Sequence, residues 1–215
     1  MLNPFPQDIG VTRFRDRETI DDDRSAAGAR PAPHDRQTPL SESANDVPLY
    51  NSRIIDCYIR LLEYKYDWIS VEDILRYARM TRYEVADQGH WFTQRQINRF
   101  HKKLSALTQN ENISREAGRY SASPDAIGVM RQYTLGMLGP ENCFEHMSKF
   151  ASNFTKSCKY LSKRISHNKY EIAVHPAPGA REKRFQCQNR MGFFESITIA
   201  FSNKLPIIEH PECLF

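Results

Sequence analysis

Cys187, His210 and Cys213 are the residues whose types and spacing suggest chemistry. His210 and Cys213 stand three apart with Pro211 between them, so one stiffened turn can aim both at a single ion. Cys187 can supply a third donor from across the fold. Two thiolates and an imidazole suit zinc, whose structural sites take four donors. The same residues also read as a buried core cysteine and an unconnected turn histidine. Cys143 and His146 repeat the spacing, with Cys158 beyond them, but Cys143 falls on a stripe with Met147, Phe150 and Phe154 that core packing explains without metal. The five cysteines are an odd, widely spaced set, which argues against a disulfide framework and for reduced thiols in the cytoplasm.

No phosphate loop, dinucleotide fingerprint, zinc-protease helix or nucleophile elbow occurs in the chain, so nothing marks it as an enzyme. Val71–Met80 followed by a second helix near Tyr83 offers a helix-turn-helix within 70–108, with Arg76, Arg79 and Arg82 on phosphates. The acids Asp67, Glu72, Asp73, Glu84 and Asp87 crowd those arginines and oppose nucleic acid. The run from Lys149 to Lys169 carries six basic residues and no acid, which reads as a solvated face or a partner-facing one.

The elements that position these groups follow from spacing. Asn51 or Ser52 caps a helix with Ile54, Ile55, Tyr58, Leu61 and Leu62 on one face. Ser70 caps Val71–Met80, with Glu72 and Asp73 favourably placed at its positive end. Thr93 and Gln96 form a capping box for a helix whose stripe is Ile97, Phe100, Leu104 and Leu107. Ser123-Pro124 opens a helix over Asp125–Leu138, and Gly139-Pro140 closes it and starts another. After Thr155 the chain reads as a hairpin, Lys159–Ile165 and Tyr170–His175, turning at Ser166–Asn168. A final helix over Phe185–Phe201 and the start of a strand at Leu205–Ile208 complete an α+β domain.

Residues 1–48 differ in kind. They hold six of the 12 prolines, six arginines, no lysine and nine acids, a balance of −3 that leaves +7 on the remainder. Little there can bury a core, so a disordered leader is expected before a domain over 49–215. No stretch is long and apolar enough for a membrane helix, so no membrane role is expected.

The ordered set Glu116-Ala-Gly-Arg-Tyr-Ser121, the Gly136–Phe154 helical region, Phe185–Glu195 and Ile208–Phe215 resembles the 4-vinyl-reductase domain family. It is similar also to the aromatic-effector sensor domains of bacterial enhancer-binding activators. The resemblance implies an α+β fold related to haem-nitric-oxide sensor and trafficking-complex domains. It further implies a homodimer, a small apolar or aromatic ligand in an internal pocket, and an output module such as a histidine kinase, cyclase or transcription activator. Trp91, Phe100, Tyr120, Tyr133 and Phe144 are the aromatics expected to meet that ligand. In the family a late-helix cysteine and a C-terminal cluster bind zinc. The 23 residues from Cys187 to His210 and the three to Cys213 match its first three ligand spacings, with Glu209 as an alternative second ligand. The family's fourth ligand, a further cysteine, lies beyond the third, so a domain incomplete at its C-terminus is expected.

Overall fold

Side-chain caps set the starts of the first helices. The computed structural model describes residues 47–121, 123, 140–202 and 204–213. Its elements run β1 (Pro48–Asn51), α1 (Ser52–Lys65), α2 (Val71–Ala78), α3 (Arg82–Ala86), β2 (Trp91–Thr93), α4 (Gln94–Thr108) and α5 (Ile113–Tyr120). Then follow α6 (Pro140–Glu145), α7 (Met147–Ala151), β3 (Cys158–Ser166), β4 (Lys169–Pro176) and α8 (Arg184–Ser202). The fold is α+β, as the patterning implied. Asn51 caps α1 and Ser70 caps α2. Thr81 with Glu84, and Thr93 with Gln96, form reciprocal boxes that satisfy otherwise orphaned N–H groups.

Two apolar cores result. The first gathers Ile55, Leu62, Ile74, Phe92, Phe100, Leu104 and Ile113 from α1 to α5, closed at one end by the antiparallel β1–β2 pair. The second packs α6, α7 and α8 on one face of the β3–β4 hairpin through Phe144, Met147, Phe150, Tyr160 and Phe194. Tyr170, Ile172 and Val174 point into it while their neighbours face outward, the alternation their sequence displays. In the hairpin register Tyr160 pairs with Val174 and Ser162 with Ile172.

Helix α8 joins the two cores. None of its residues from Phe185 to Ala200 is exposed, so it is a central helix buried on all sides. Against α5 the backbones approach so closely that only glycine fits. A methyl on Gly118 would lie 2.1 Å from the Asn189 carbonyl oxygen, and one on Gly192 would lie 2.0 Å from that of Arg115. The Glu195 carboxylate of α8 receives Arg115 (2.5 Å) and Arg119 of α5 beside this contact.

The structure departs from expectation in several places. Leu205–Ile208 does not start a strand and contributes one bridge residue, Ile207. Pro206 lacks an N–H for a ladder, and Leu205 and Ile207 are exposed with no face to bury. The stripe from Cys143 to Phe154 is carried by two short helices broken at His146. Leu107 turns partly to solvent, and β1, β2 and α5 were not anticipated. Of the leader expected over residues 1–48, residues 1–46 lie outside the described residues, while Pro48 already begins β1; the helix at Asp125–Leu138, with Tyr133, also lies outside them. No helix among the described residues is long and apolar enough to cross a membrane.

Candidate functional site

The first turn of α8 places Cys187 in the second core, 2% exposed. The irregular tail after α8 returns over it and sets His210, half-buried, with Nε2 3.5 Å from the Cys187 sulfur. Cys213 is exposed, yet its sulfur and the other two donor atoms all lie within 4.8 Å of one another. The cluster can hold a metal ion. The 3.5 Å edge between the Cys187 sulfur and His210 Nε2 is close to the about 3.6 Å that a tetrahedral ion bonded at about 2.3 Å to sulfur and about 2.0–2.1 Å to nitrogen requires.

Neither Glu209 nor Glu212 joins the cluster. Glu209 instead reaches toward Lys169, 3.9 Å away. The rival arrangement does not form among the described residues: Cys143 is buried in the core, His146 bonds the Asn142 carbonyl, and Cys158 receives Arg190. Burial pushes the Cys187 thiol up to about 12, with Arg190 opposing and the Cys213 sulfur adding to the rise. Burial, with Arg115 and Arg190, holds the His210 imidazole below its ordinary value, so it stays neutral and ready to donate a lone pair.

Beside this cluster lies a cavity of about 90 Å³ at the junction of the two cores. Ile54, Ile97, Phe100, Phe150, Phe154 and Phe193 supply much of its apolar wall. Its polar groups include Tyr50, His101, Glu182, Gln186, Asn189 and Arg190. Most of these are already engaged. Gln186 donates to Tyr50 Oη (2.6 Å) and to Gln94 Oε1 (3.0 Å), while Tyr50 donates to Gln94. Arg190 donates to Glu182 (2.7 Å), to Tyr160 Oη (2.7 Å) and to Cys158 Sγ (3.4 Å), and Ser157 donates to the other Glu182 oxygen. His101 differs. Its ring stacks on Phe185 at 4.0 Å, and its buried Nε2 has no hydrogen-bond partner among the described residues. Burial, helped by the Lys183 charge, lowers its pKa to about 4, so the ring is neutral.

Of the aromatics expected at a ligand, Phe100 lines this cavity, and Phe150 joins it. Trp91 lies elsewhere under the Lys156 ammonium, 4.0 Å from the ring centre. Tyr120 packs beside Tyr64, and Phe144 lies between Tyr170 and Phe194. His101, Glu182, Gln186 and Arg190 were missed. The available signal was Gln186 and Arg190, four apart and so on one face of a helix that also carries Phe185, Met191, Phe193 and Phe194. In the helix-turn-helix region α3 has five residues. Arg82 is engaged by Glu63 and Glu72, and Arg76 by Asp73.

No family model, curated protein or solved structure matches the chain.

Proposed function

We propose that the chain is a non-enzymatic cytoplasmic sensory domain that binds a small apolar or aromatic ligand in the cavity between its two cores and reports through α8. One observation carries this reading. Gln186 and Arg190 of α8 line the cavity, and Cys187, between them in sequence, belongs to the metal cluster. A ligand that repacks the cavity wall therefore acts on the helix that anchors the tail.

The cavity is smaller than the roughly 150 Å³ apolar void that admits benzene. It therefore favours a small ligand over a lipid or a haem, and a single ring enters as the cavity wall repacks around it. Apolar walls supply most of the binding through burial. His101 Nε2 supplies direction, because a ligand donor or acceptor placed there satisfies an atom the protein leaves without a partner. Zinc on Cys187, His210 and Cys213 contributes structure, a cross-link between α8 and the tail. The movement of α8 is the signal that an output module reads.

A thermal-shift screen of small aromatic and apolar compounds tests this reading. A ligand of the cavity stabilises the fold by about 2.7 kcal/mol at a hundred times its dissociation constant. Ala151→Leu, which fills part of the cavity wall, abolishes that shift. A shift that survives Ala151→Leu unchanged, or no shift across the panel, contradicts it.

A further inference from the structure

We propose that Cys187 and Cys213 form a reversible disulfide under peroxide, a modification site that competes with a metal ion for the same two sulfurs. The proposal builds on the metal-cluster reading above, but the cross-link itself stands on where the two sulfurs lie.

Three observations support it. The sulfurs are at most 4.8 Å apart, so reaching the about 2.05 Å of an S–S bond takes a shift of about 2.8 Å or less. The shift falls on a tail that has no helix or strand around Cys213. The two cysteines also differ in the way a sensing pair requires, since Cys213 is exposed to an oxidant in solvent and Cys187 is buried directly behind it. Cys143 and Cys158 are both buried, and Cys57 is half-buried with its thiol on the Ala117 carbonyl.

The chemistry balances with a hydroperoxide as oxidant. The Cys213 sulfur attacks the terminal peroxide oxygen, the O–O bond breaks, and a sulfenic acid forms as water or an alcohol leaves. The Cys187 sulfur then attacks the sulfenic sulfur, the S–S bond forms and a second water departs. Two thiols lose two electrons and two protons in all, and the peroxide gains them. Where a metal ion occupies the cluster, both of its sulfur donors are consumed and the ion is released. The tail is then held to α8 by a covalent bond instead of a coordinate one.

The test uses the full 215-residue chain, metal-free and zinc-loaded, with Cys213→Ser and Cys143→Ser variants. After hydrogen peroxide, free thiols are counted and digests are mapped by mass. The metal-free wild type loses two of its five thiols, the peptides carrying Cys187 and Cys213 are found joined, and dithiothreitol restores all five. Cys143→Ser still loses two, whereas Cys213→Ser yields no cross-link at Cys187. From the zinc-loaded protein, zinc appears in solution in step with thiol loss. A different pair, Cys213 carried to sulfinic acid without a link, or five thiols untouched would overturn the proposal. A chain that cross-links yet never binds zinc loses the metal reading, and with it the competition, and keeps the disulfide. A chain that binds zinc yet does not cross-link when metal-free does the reverse.

Discussion

The two cores treat charge in opposite ways. In the first, arginine stays at the surface: Arg82 is half-exposed where it meets Glu63 and Glu72. In the second, Arg190 and Glu182 form an ion pair only 8% and 4% exposed, and where α8 crosses α5 Glu195 is buried as it receives Arg115 and Arg119. Arg190 and Glu195 belong to α8, and Glu182 lies two residues before its start. Burying charge rarely gains stability over an apolar replacement of the same volume. The first core thus keeps its charges hydrated, and the second carries a desolvation cost that the first does not.

The contrast breaks most readily at Arg190. Arg190→Met leaves the Glu182 carboxylate buried without its partner and lowers stability by about 3–5 kcal/mol, read from chemical denaturation. Gly118→Ala follows at about 3 kcal/mol, because its methyl meets backbone that cannot turn aside. Gly192→Ala, across the same contact, should match it. Were either variant to melt like wild type, the close approach of α5 and α8 would be refuted.

Glu195→Gln costs less, about 1–3 kcal/mol, since its arginine partners are partly hydrated. Burial alone would raise this carboxyl, but the hydrogen bonds and charges of Arg119 and Arg115 hold it below the ordinary carboxylate range. Its contribution is therefore complete above the unfolded value of about 4.3 and is lost as pH falls through the lower folded value. Denaturation midpoints against pH should show an acid loss in wild type that is smaller in Glu195→Gln.

His101 works in a neighbouring window. The unfolded chain protonates this ring near 6.5 and the folded chain only near 4, so stability falls as pH drops from 6.5 toward 4. His101→Phe should flatten that part of the profile, and an unchanged slope would show that the ring is not buried as described. The smallest effect belongs to the first core. Arg82→Met should cost under about 1 kcal/mol despite breaking two ion pairs, because both are exposed.

What the sequence disclosed followed from local physics. The caps at Asn51, Ser70 and Thr93 and the alternation at Tyr170–Val174 are decided by a few neighbouring residues, and these elements lie where spacing put them. The convergence of Cys187, His210 and Cys213 was legible from donor type and spacing. The cavity was not. Its walls come from elements far apart in the chain, so an aromatic such as Trp91 or Phe144 cannot be told from Phe100 by type alone. The role of α8 was obscured for a related reason. A helix buried on every side has no polar face to mark it, and Ile197-Thr-Ile199 favours strand locally. Leu205–Ile208 shows the converse, β-favouring residues that among the described residues contribute a single bridge at Ile207.

Coupling between the cavity and the tail through α8 is the central claim, and linkage measures it directly. Zinc affinity is titrated against a competing chelator with and without the small aromatic compound that gives the largest thermal shift. Occupancy of the cavity should change the zinc dissociation constant by about fivefold or more. By reciprocity, zinc should change the affinity for the compound by the same factor. Identical zinc affinities, with the cavity occupied as judged by the thermal shift, would contradict the account.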